Sequence, residues 1–266
     1  MKIKWLFLCF FTLLLPLAVQ ASQVPRIAAA SSLQFVLPEV LAEFKRQTGH
    51  SVRTTFGSSG NFRRQIIQGA SFELFLSANE FYVNALVERG LTVDAGVIYG
   101  QGRIALVVPT NSQLKPDSNL AGLRQALDKN DIIRFAIANP NHAPYGRAAR
   151  EALQVYGLWN AIQPFIVKGE NASQATQFAV SGSTQGGIVP YALAVSPIIA
   201  ESNQVVLIAQ SSHQPIGQRM VLLQGSGDVA RQLYDFISSA QAQAIFNQFG
   251  IESSSVNQSP SQRVSE

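Results

Sequence analysis

The sequence predicts an α/β protein of two lobes built on parallel sheets, and three observations support this fold class. Strand-like and helix-like runs alternate three times between residues 24 and 90. A second alternating unit follows from about residue 104, and a last strand and helix after residue 213 lead back to the first unit. Such alternation is typical of parallel sheets with right-handed crossovers. Because the second unit interrupts the first, we expect two chain crossings that act as a hinge, with a ligand cleft between the lobes.

The first lobe begins with a strand predicted over residues 24–30. The helix after it has apolar residues at i, i+3, i+4 and i+7 from Leu33 to Phe44. Pro38 cannot donate a hydrogen bond to the carbonyl four residues back, so we expect this helix to kink or to begin near it. The remaining elements predicted here are strands over 51–56 and 72–77 and helices over 62–69 and 81–89.

The second lobe is predicted to begin with a long apolar strand over residues 102–109, which carries the chain across from the first lobe. Its later elements alternate in the same way. They are strands over 132–138, 164–167, 188–194 and 205–208 and helices over 120–127, 145–156 and 173–180. The chain is then predicted to return with a strand over 214–223 and one long amphipathic helix over 229–249.

The N-terminus has the features of a cleaved secretory signal peptide. A basic start with Lys2 and Lys4 precedes an apolar run, and a V-x-A cleavage site ends at Ala21. The single cysteine, Cys9, lies inside this segment, so we expect the mature chain to have no disulfide and no thiol nucleophile. The sequence therefore predicts a periplasmic protein.

These features divide the chain into five predicted segments. They are a signal peptide over 1–21, the first part of lobe 1 over 22–104, lobe 2 over 105–213, the return strand and helix of lobe 1 over 214–251, and a tail over 252–266. The tail is polar and aperiodic, so we expect it to be disordered.

The composition narrows the possible ligands and partners. The signal peptide takes away two of the 20 Lys and Arg residues, against 16 Asp and Glu, so the mature chain is close to neutral. Its basic residues form no stripe, which indicates no nucleic-acid partner. No group of His, Asp and Glu has the spacing of a metal site, so we expect neither a metal ion nor another cofactor.

Two turns of the first lobe place adjacent serines where a strand ends and a helix is predicted to begin. Ser31 and Ser32 follow three alanines, and Ser58 and Ser59 stand between two glycines. The first N–H groups of a helix have no acceptor within it, and the helix end carries about half a positive charge. Such turns bind anions readily, although a serine there is often only a helix cap.

Two turns of the second lobe have the same form. Tyr145 can offer both its N–H and its hydroxyl to an anion, and Ala172 only its N–H. We expect Asn171 or Ser173 to cap the second of these helices and Glu170 to point away. The four turns together predict an uncharged site of neutral donors for a small tetrahedral oxyanion. Because a site made only of donors cannot accept a hydrogen, it disfavours phosphate, which is partly protonated near neutral pH.

At these turns the chain resembles the periplasmic molybdate-binding proteins of ABC importers. The resemblance covers residues 27–250, and its motifs occur in the same order and with the same spacing. The motifs are Ala29-Ala30-Ser31-Ser32, Gly57-Ser58-Ser59-Gly60, Phe75-Leu76-Ser77-Ala78-Asn79, Asn139-Pro140, Ala143-Pro144-Tyr145-Gly146 and Gly187-Ile188-Val189.

This resemblance implies the two-lobed type II periplasmic binding protein fold. It implies a monomer that captures molybdate, and tungstate as well, for delivery to an ABC permease in the inner membrane. The family's oxyanion ligands map onto Ser31, Ser32, Ser59 and Tyr145 and onto the backbone of Ala172. The resemblance implies no chemical step, so we expect no enzyme, and we expect molybdenum to be bound only as its oxyanion.

Two positions depart from the family pattern. Pro190 stands where one branch of the family has a tyrosine, and Tyr191 follows one residue later, so Tyr145 is the expected hydroxyl donor. Asn79 stands where the family usually has an Asp. Whether Ser58 or Tyr191 also contacts the ligand stays open.

Two other functions remain open from the sequence. The same fold could bind sulfate or another tetrahedral oxyanion, because the sequence does not give the radius of the pocket. A secreted serine hydrolase is the other alternative, but Ser58 and Ser59 lie in Gly-Ser-Ser-Gly-Asn rather than in a G-x-S-x-G elbow. His142 is the one histidine in a candidate turn, and we expect it to be an exposed loop residue.

Overall fold

The computed structural model describes residues 24–253, so the predicted signal peptide and residues 254–266 of the predicted tail lie outside the described residues. Strands and helices alternate along this range, as the sequence predicts. The strands are β1 (Arg26–Ala30), β2 (Arg53–Gly57), β3 (Leu74–Ser77), β4 (Val97–Gly102), β5 (Ile104–Pro109), β6 (Phe135–Ala138), β7 (Ile166–Gly169), β8 (Gly187–Pro190), β9 (Asn203–Leu207) and β10 (Ile216–Leu222).

The helices cover both faces of the sheets. They are α1 (Val36–Thr48), α2 (Ser59–Ile67), α3 (Glu80–Val87), α4 (Ala121–Asp128), α5 (Pro144–Val155), α6 (Trp159–Ile162), α7 (Ala172–Val180), α8 (Tyr191–Ala194), α9 (Pro197–Ala200), α10 (Asp228–Ile237) and α11 (Ala240–Gln248). Among residues 24–253, none of these helices has the length and apolar character needed to cross a membrane.

The strands form two five-stranded sheets with closely related plans. The first has the order β2-β1-β3-β10-β4 and the second the order β7-β6-β8-β5-β9. In the first, β1 runs parallel to β2 and β3, and β10 runs antiparallel to β3 and β4. In the second, β6 runs parallel to β7 and β8, and β5 runs antiparallel to β8 and β9. The sheets are therefore mixed rather than all parallel, because a strand that crosses between them enters in the opposite direction.

We call the part of the chain around the first sheet lobe 1 and the part around the second sheet lobe 2. The chain passes to lobe 2 at Arg103, between β4 and β5, and returns between β9 and β10. The predicted two crossings between α/β units are thus present in the structure. The domain boundaries given above stay a prediction.

Three predicted elements have wrong bounds, each because of a local break. The strand predicted over 102–109 is β5 but begins two residues too early, since Gly102 ends β4 in the other sheet, and β4 itself was missed because its two glycines weaken the strand pattern. The predicted strand over 188–194 ends at Pro190, where helix α8 begins. The predicted helix over 229–249 is broken at Ser239, whose hydroxyl accepts a hydrogen bond from Ala242 N and caps α11.

At the two ends of the described range, the start of α1 near Pro38 agrees with the prediction and the start of the tail does not. Ser31–Leu33 form a short 3₁₀ turn, and α1 begins only at Val36, which puts Pro38 in its first turn, where no N–H is needed. Glu252 pairs with Gln101 through both backbone bonds, at 2.7 and 3.0 Å. The predicted start of the tail, residue 252, is therefore at least one residue too early.

The cores of the lobes fix the strand ends against each other. Buried apolar side chains of β1 and β3, such as Ile27 and Leu76, pack against α1, α10 and α11. In lobe 2, β5 and β6 pack against α5 through residues such as Ile137 and Ala149. Because these strands are buried on both faces, their carboxyl ends are held rigidly where the serine and tyrosine turns begin.

Candidate functional site

The carboxyl ends of the parallel strands of both lobes meet at one small cavity. Residues 30–32, 57–59 and 78 of lobe 1 and residues 143–145 and 172 of lobe 2 line it. The cavity is tight, since the volume open to the centre of a water-sized sphere is only about 10 Å³. The lining includes no charged side chain, and the residues predicted to bind an oxyanion all belong to it, namely Ser31, Ser32, Ser59, Tyr145 and Ala172. These five residues are between 0 and 5% exposed.

The two serine hydroxyls after β1 differ in their hydrogen-bond partners. Ser31 Oγ accepts a hydrogen bond from Ser173 N at 3.3 Å, so its own hydrogen remains free to be donated. Ser32 Oγ is buried and has no hydrogen-bond partner among the described residues. A buried hydroxyl without a partner costs free energy, and a ligand oxygen in the cavity would satisfy it.

The two serines after β2 have different roles, one as a helix cap and one with a free hydroxyl hydrogen. Ser58 is the N-cap of α2, and its Oγ accepts from Asn61 N at 3.3 Å. Ser59 Oγ accepts from Ala78 N at 3.0 Å, which leaves the Ser59 hydroxyl hydrogen free. Ser59 is also the first residue of α2, where backbone N–H groups have no acceptor within the helix.

Tyr145 lies in the first turn of α5 behind Pro144, and its ring is fully buried. Its Oη accepts a hydrogen bond from Gln218 Nε2 at 3.1 Å. Burial raises the pKa of the Tyr145 hydroxyl well above its usual value, and nearby Ser32 offsets this only in part. The hydroxyl therefore keeps its hydrogen at neutral pH and can act as a donor.

The fourth turn supplies a helix end without a charged side chain. Asn171 caps α7, since its Oδ1 accepts from Gln174 N at 3.0 Å, so Ala172 is the first residue of the helix and lines the cavity. Glu170 points away from the cavity, with its side chain 68% exposed. Three helices, α2, α5 and α7, thus begin at the cavity, and their N-terminal ends favour negative charge there.

Direct hydrogen bonds join the lobes around the cavity. Gly60 N donates to His142 O at 3.0 Å, and Ser173 Oγ donates to Ser31 O at 2.8 Å. An added Cβ at Gly60 would lie 2.6 Å from His142 O, so only glycine permits this approach. Sequence reasoning did not single out Ser173 as a contact between lobes, because the pairing joins residues 142 positions apart.

His142 is buried rather than an exposed loop residue, which corrects the expectation from the sequence. Its Nδ1 lies 3.0 Å from Ser58 Oγ, and its Nε2 lies 3.4 Å from Glu170 Oε2. Burial lowers the pKa of His142, and Glu170 partly opposes this. Because Ser58 Oγ already accepts from Asn61 N, its hydrogen is available to Nδ1, and the remaining imidazole hydrogen faces Glu170.

Ser58, His142 and Glu170 follow each other in the order serine, histidine and carboxylate, as in a hydrolase triad. Their environment differs from that of a triad. In a triad, the carboxylate that orients the histidine is buried, whereas Glu170 is mostly exposed. Ser58 is also held as the cap of α2 and contacts His142 of the other lobe. The geometry fits a contact that joins the lobes.

Two arginines from opposite lobes contact the same aromatic ring, and neither lines the cavity. The guanidinium carbons of Arg63 and Arg147 lie 6.0 and 5.6 Å from the ring centre of Phe81, within the range of cation–π contacts. Tyr191 packs against Gly250 and does not line the cavity. Within residues 24–253, no group of three or more His, Cys, Asp and Glu residues could hold a metal ion.

Comparison with known proteins gives consistent matches over nearly the whole chain. The model of the family of bacterial extracellular solute-binding proteins matches residues 25–252. The molybdate-binding protein ModA of Rhodobacter capsulatus is 35% identical over 243 residues, which cover 90% of this chain and 92% of that protein.

Solved structures show the same fold. The periplasmic molybdate-binding protein of Azotobacter vinelandii matches with a TM-score of 0.77 and 25% identity, over 85% of this chain and 98% of that one. The sulfate-binding protein SubI of Mycobacterium tuberculosis matches with a TM-score of 0.70 and 17% identity, over 88% and 87% of the two chains. The predicted fold class is therefore confirmed, and the chain belongs to the family of bacterial extracellular solute-binding proteins.

Proposed function

We propose that this protein captures molybdate, and tungstate as well, in the cavity between its lobes. After secretion with a cleaved signal peptide it acts as a monomer and delivers the oxyanion to an ABC permease in the inner membrane. The names of the similar proteins of Rhodobacter capsulatus and Azotobacter vinelandii, both molybdate-binding, support this choice of ligand.

One observation carries the proposal: the cavity is lined by neutral donors from both lobes and by no charged side chain. Molybdate and tungstate carry two negative charges and no hydrogen near neutral pH, so they need donors alone. Hydrogen bonds to a charged group contribute about 1.5–3 kcal/mol each. Hydroxyls and helix-terminal N–H groups therefore replace the water shell of a dianion here without a balancing cation.

We assign the binding contacts to five residues. The hydroxyls of Ser31, Ser32, Ser59 and Tyr145 and the N–H of Ala172 donate to the oxyanion oxygens. The free hydrogens of Ser31 and Ser59, and the partnerless Ser32 Oγ, support this assignment. Under the same proposal, residues 22–104 and 214–251 form lobe 1 and residues 105–213 form lobe 2, which close around the ligand.

Sulfate is the competing ligand, because it is also a dianion that needs donors only. A sulfate-binding protein has a similar fold. Sulfate and molybdate differ mainly in size, so direct titration distinguishes them. We would measure binding of molybdate, tungstate, sulfate and phosphate to the mature chain by calorimetry and thermal unfolding.

The expected order of affinity is molybdate and tungstate first, then sulfate, then phosphate. Molybdate at 100 times its dissociation constant should raise the free energy of unfolding by about 2.7 kcal/mol. Stabilisation by sulfate with no response to molybdate would show that the proposed ligand is wrong.

A further inference from the structure

A row of three buried side chains leads from the core of lobe 1 to the cavity. Tyr99 and Gln218 belong to β4 and β10 of lobe 1, and Tyr145 belongs to α5 of lobe 2. All three are at most 2% exposed. Tyr99 Oη donates to Gln218 Oε1 at 2.9 Å, and Gln218 Nε2 donates to Tyr145 Oη at 3.1 Å. The row therefore crosses from one lobe to the other.

The direction of these hydrogen bonds decides what Tyr145 can offer to a ligand. Because Gln218 donates to Tyr145 Oη, it leaves the single hydroxyl hydrogen of Tyr145 unused. With the amide turned over, Gln218 Oε1 would accept that hydrogen, and Tyr145 would present a lone pair to the cavity. Tyr99 opposes this reversal, because its single hydroxyl hydrogen has two acceptors in reach and the amide oxygen, at 2.9 Å, is nearer than Ser77 O, at 3.3 Å.

The packing around the row leaves it little freedom. An added Cβ at Gly102 would lie 2.2 Å from Tyr145 Oη and 2.9 Å from Gln218 Nε2, so the backbone of β4 closes one side of the contact. Burial raises the pKa of both Tyr99 and Tyr145 above their usual range, so both hydroxyls stay protonated. The row then works as a fixed chain of donors at any pH near neutrality.

We propose that Gln218 is a positioning residue that sets the specificity of the site, by holding the Tyr145 hydroxyl as a donor toward the cavity. The site then favours fully deprotonated tetrahedral dianions over oxyanions that carry a hydrogen, such as hydrogen phosphate, which need an acceptor. This inference rests on the proposed function and adds the residue that distinguishes these two classes of oxyanion.

The test is a double-mutant cycle on ligand preference. The variants are Gln218→Met, Tyr145→Phe and the combination, with Gln185→Met as a matched control. Gln185 makes two hydrogen bonds to the backbone of lobe 2, away from the cavity. Each protein is titrated with sodium molybdate and with inorganic phosphate at about pH 7.5, where molybdate carries no hydrogen and phosphate still carries at least one.

We expect Gln218→Met to weaken molybdate binding by about tenfold, because the Tyr145 hydroxyl is no longer held as a donor. Phosphate binding should weaken less, so the preference for molybdate over phosphate falls. In the Tyr145→Phe background, Gln218→Met should change neither affinity, because the group through which it acts is gone. The Gln185→Met control should keep the preference of the unmodified protein.

Two results would overturn the inference. One is an equal loss of molybdate and phosphate affinity in Gln218→Met, and the other is a loss that adds in full to that of Tyr145→Phe. If Gln218→Met does not fold, Tyr99→Phe serves instead, since it removes the donor that holds the amide oxygen and should lower the preference in the same direction.

The unmodified protein in the same titrations separates the inference from the proposed function. If it binds sulfate and not molybdate, the proposed ligand is wrong, and the cycle is carried out with sulfate against phosphate. If it binds no dianion, both proposals fail.

Discussion

The two lobes share one plan of sheet but bring different chemistry to the cavity. Lobe 1 contributes the hydroxyls of Ser31, Ser32 and Ser59, and two of these oxygens already accept backbone N–H groups, from Ser173 and Ala78. Lobe 2 contributes the first residues of α5 and α7 and one phenol, that of Tyr145.

This difference indicates that the two lobes have different roles in binding. A serine hydroxyl hydrogen rotates to meet an acceptor, whereas a backbone N–H at a helix end has a fixed direction. Lobe 1 has three rotating hydroxyls and one helix end, that of α2, whereas lobe 2 has two helix ends and one hydroxyl, so we infer that lobe 2 does more to set where the oxyanion lies. Neither lobe alone surrounds a tetrahedral ion, so the contacts between lobes should matter as much as the donors themselves. The predictions below test this comparison, from the largest expected effect to the smallest.

Gly60→Ala should have the largest effect, because it separates the lobes and so weakens all donors at once. The new Cβ would clash with His142 O at 2.6 Å. Overpacking of this kind costs about 1–3 kcal/mol, and the upper end corresponds to about 100-fold in affinity for molybdate. Calorimetry measures this loss, and Gly217→Ala is the control, because a Cβ there meets nothing closer than 3.8 Å. Unchanged affinity in Gly60→Ala would contradict the need for contact between lobes.

Ser59→Ala should come next and should differ sharply from Ser58→Ala. Loss of a hydroxyl that donates to a charged oxygen costs about 1.5–3 kcal/mol, or about 10- to 100-fold in molybdate affinity. Ser58 caps α2 instead, so Ser58→Ala should lower the free energy of unfolding by about 1 kcal/mol and change affinity less. Titration and denaturant unfolding of both variants measure the two effects. A greater loss of affinity in Ser58→Ala would reverse the roles given to the two serines.

Tyr145→Phe tests the phenol of lobe 2, and we expect about a tenfold loss of molybdate affinity. The effect should be smaller than that of Ser59→Ala, because the helix-terminal N–H groups of lobe 2 remain. Tyr191→Phe is the control, since Tyr191 packs against Gly250 outside the cavity. Equal losses of molybdate affinity in the two variants would show that the Tyr145 hydroxyl does not bind the ligand.

Acid pH should have the mildest effect, on stability. Burial lowers the pKa of both His142 and His213 below the usual value of 6.5. The unfolded chain therefore binds more protons below about pH 6.5, so stability is full above that pH and falls as the pH drops toward the lowered pKa values. Thermal unfolding at several pH values measures this fall. His142→Asn should reduce the slope of the melting temperature against pH, whereas His50→Asn, at an exposed position, should not. A melting temperature that rises on acidification would contradict the argument.

Much of the fold and part of the site follow from local patterns. Alternating apolar runs predicted the strands and helices of both lobes, because a buried strand and an amphipathic helix have distinct periods. The serine turns at residues 31–32 and 58–59 could be found because a strand end followed by small polar residues is a local signal. No local signal existed for Gln218 or His142, whose partners are 73 and 84 residues away in sequence.

The sequence by itself determined most element types, the two crossings and the uncharged lining of the cavity, since each depends on residues close together in the chain. The tertiary structure alone decided that Ser58 caps a helix while Ser59 keeps a free hydrogen, and that His142 is buried. It also decided which way the Gln218 amide faces. Hydrogen-bond direction and burial depend on groups from distant segments, and only folding brings those groups together.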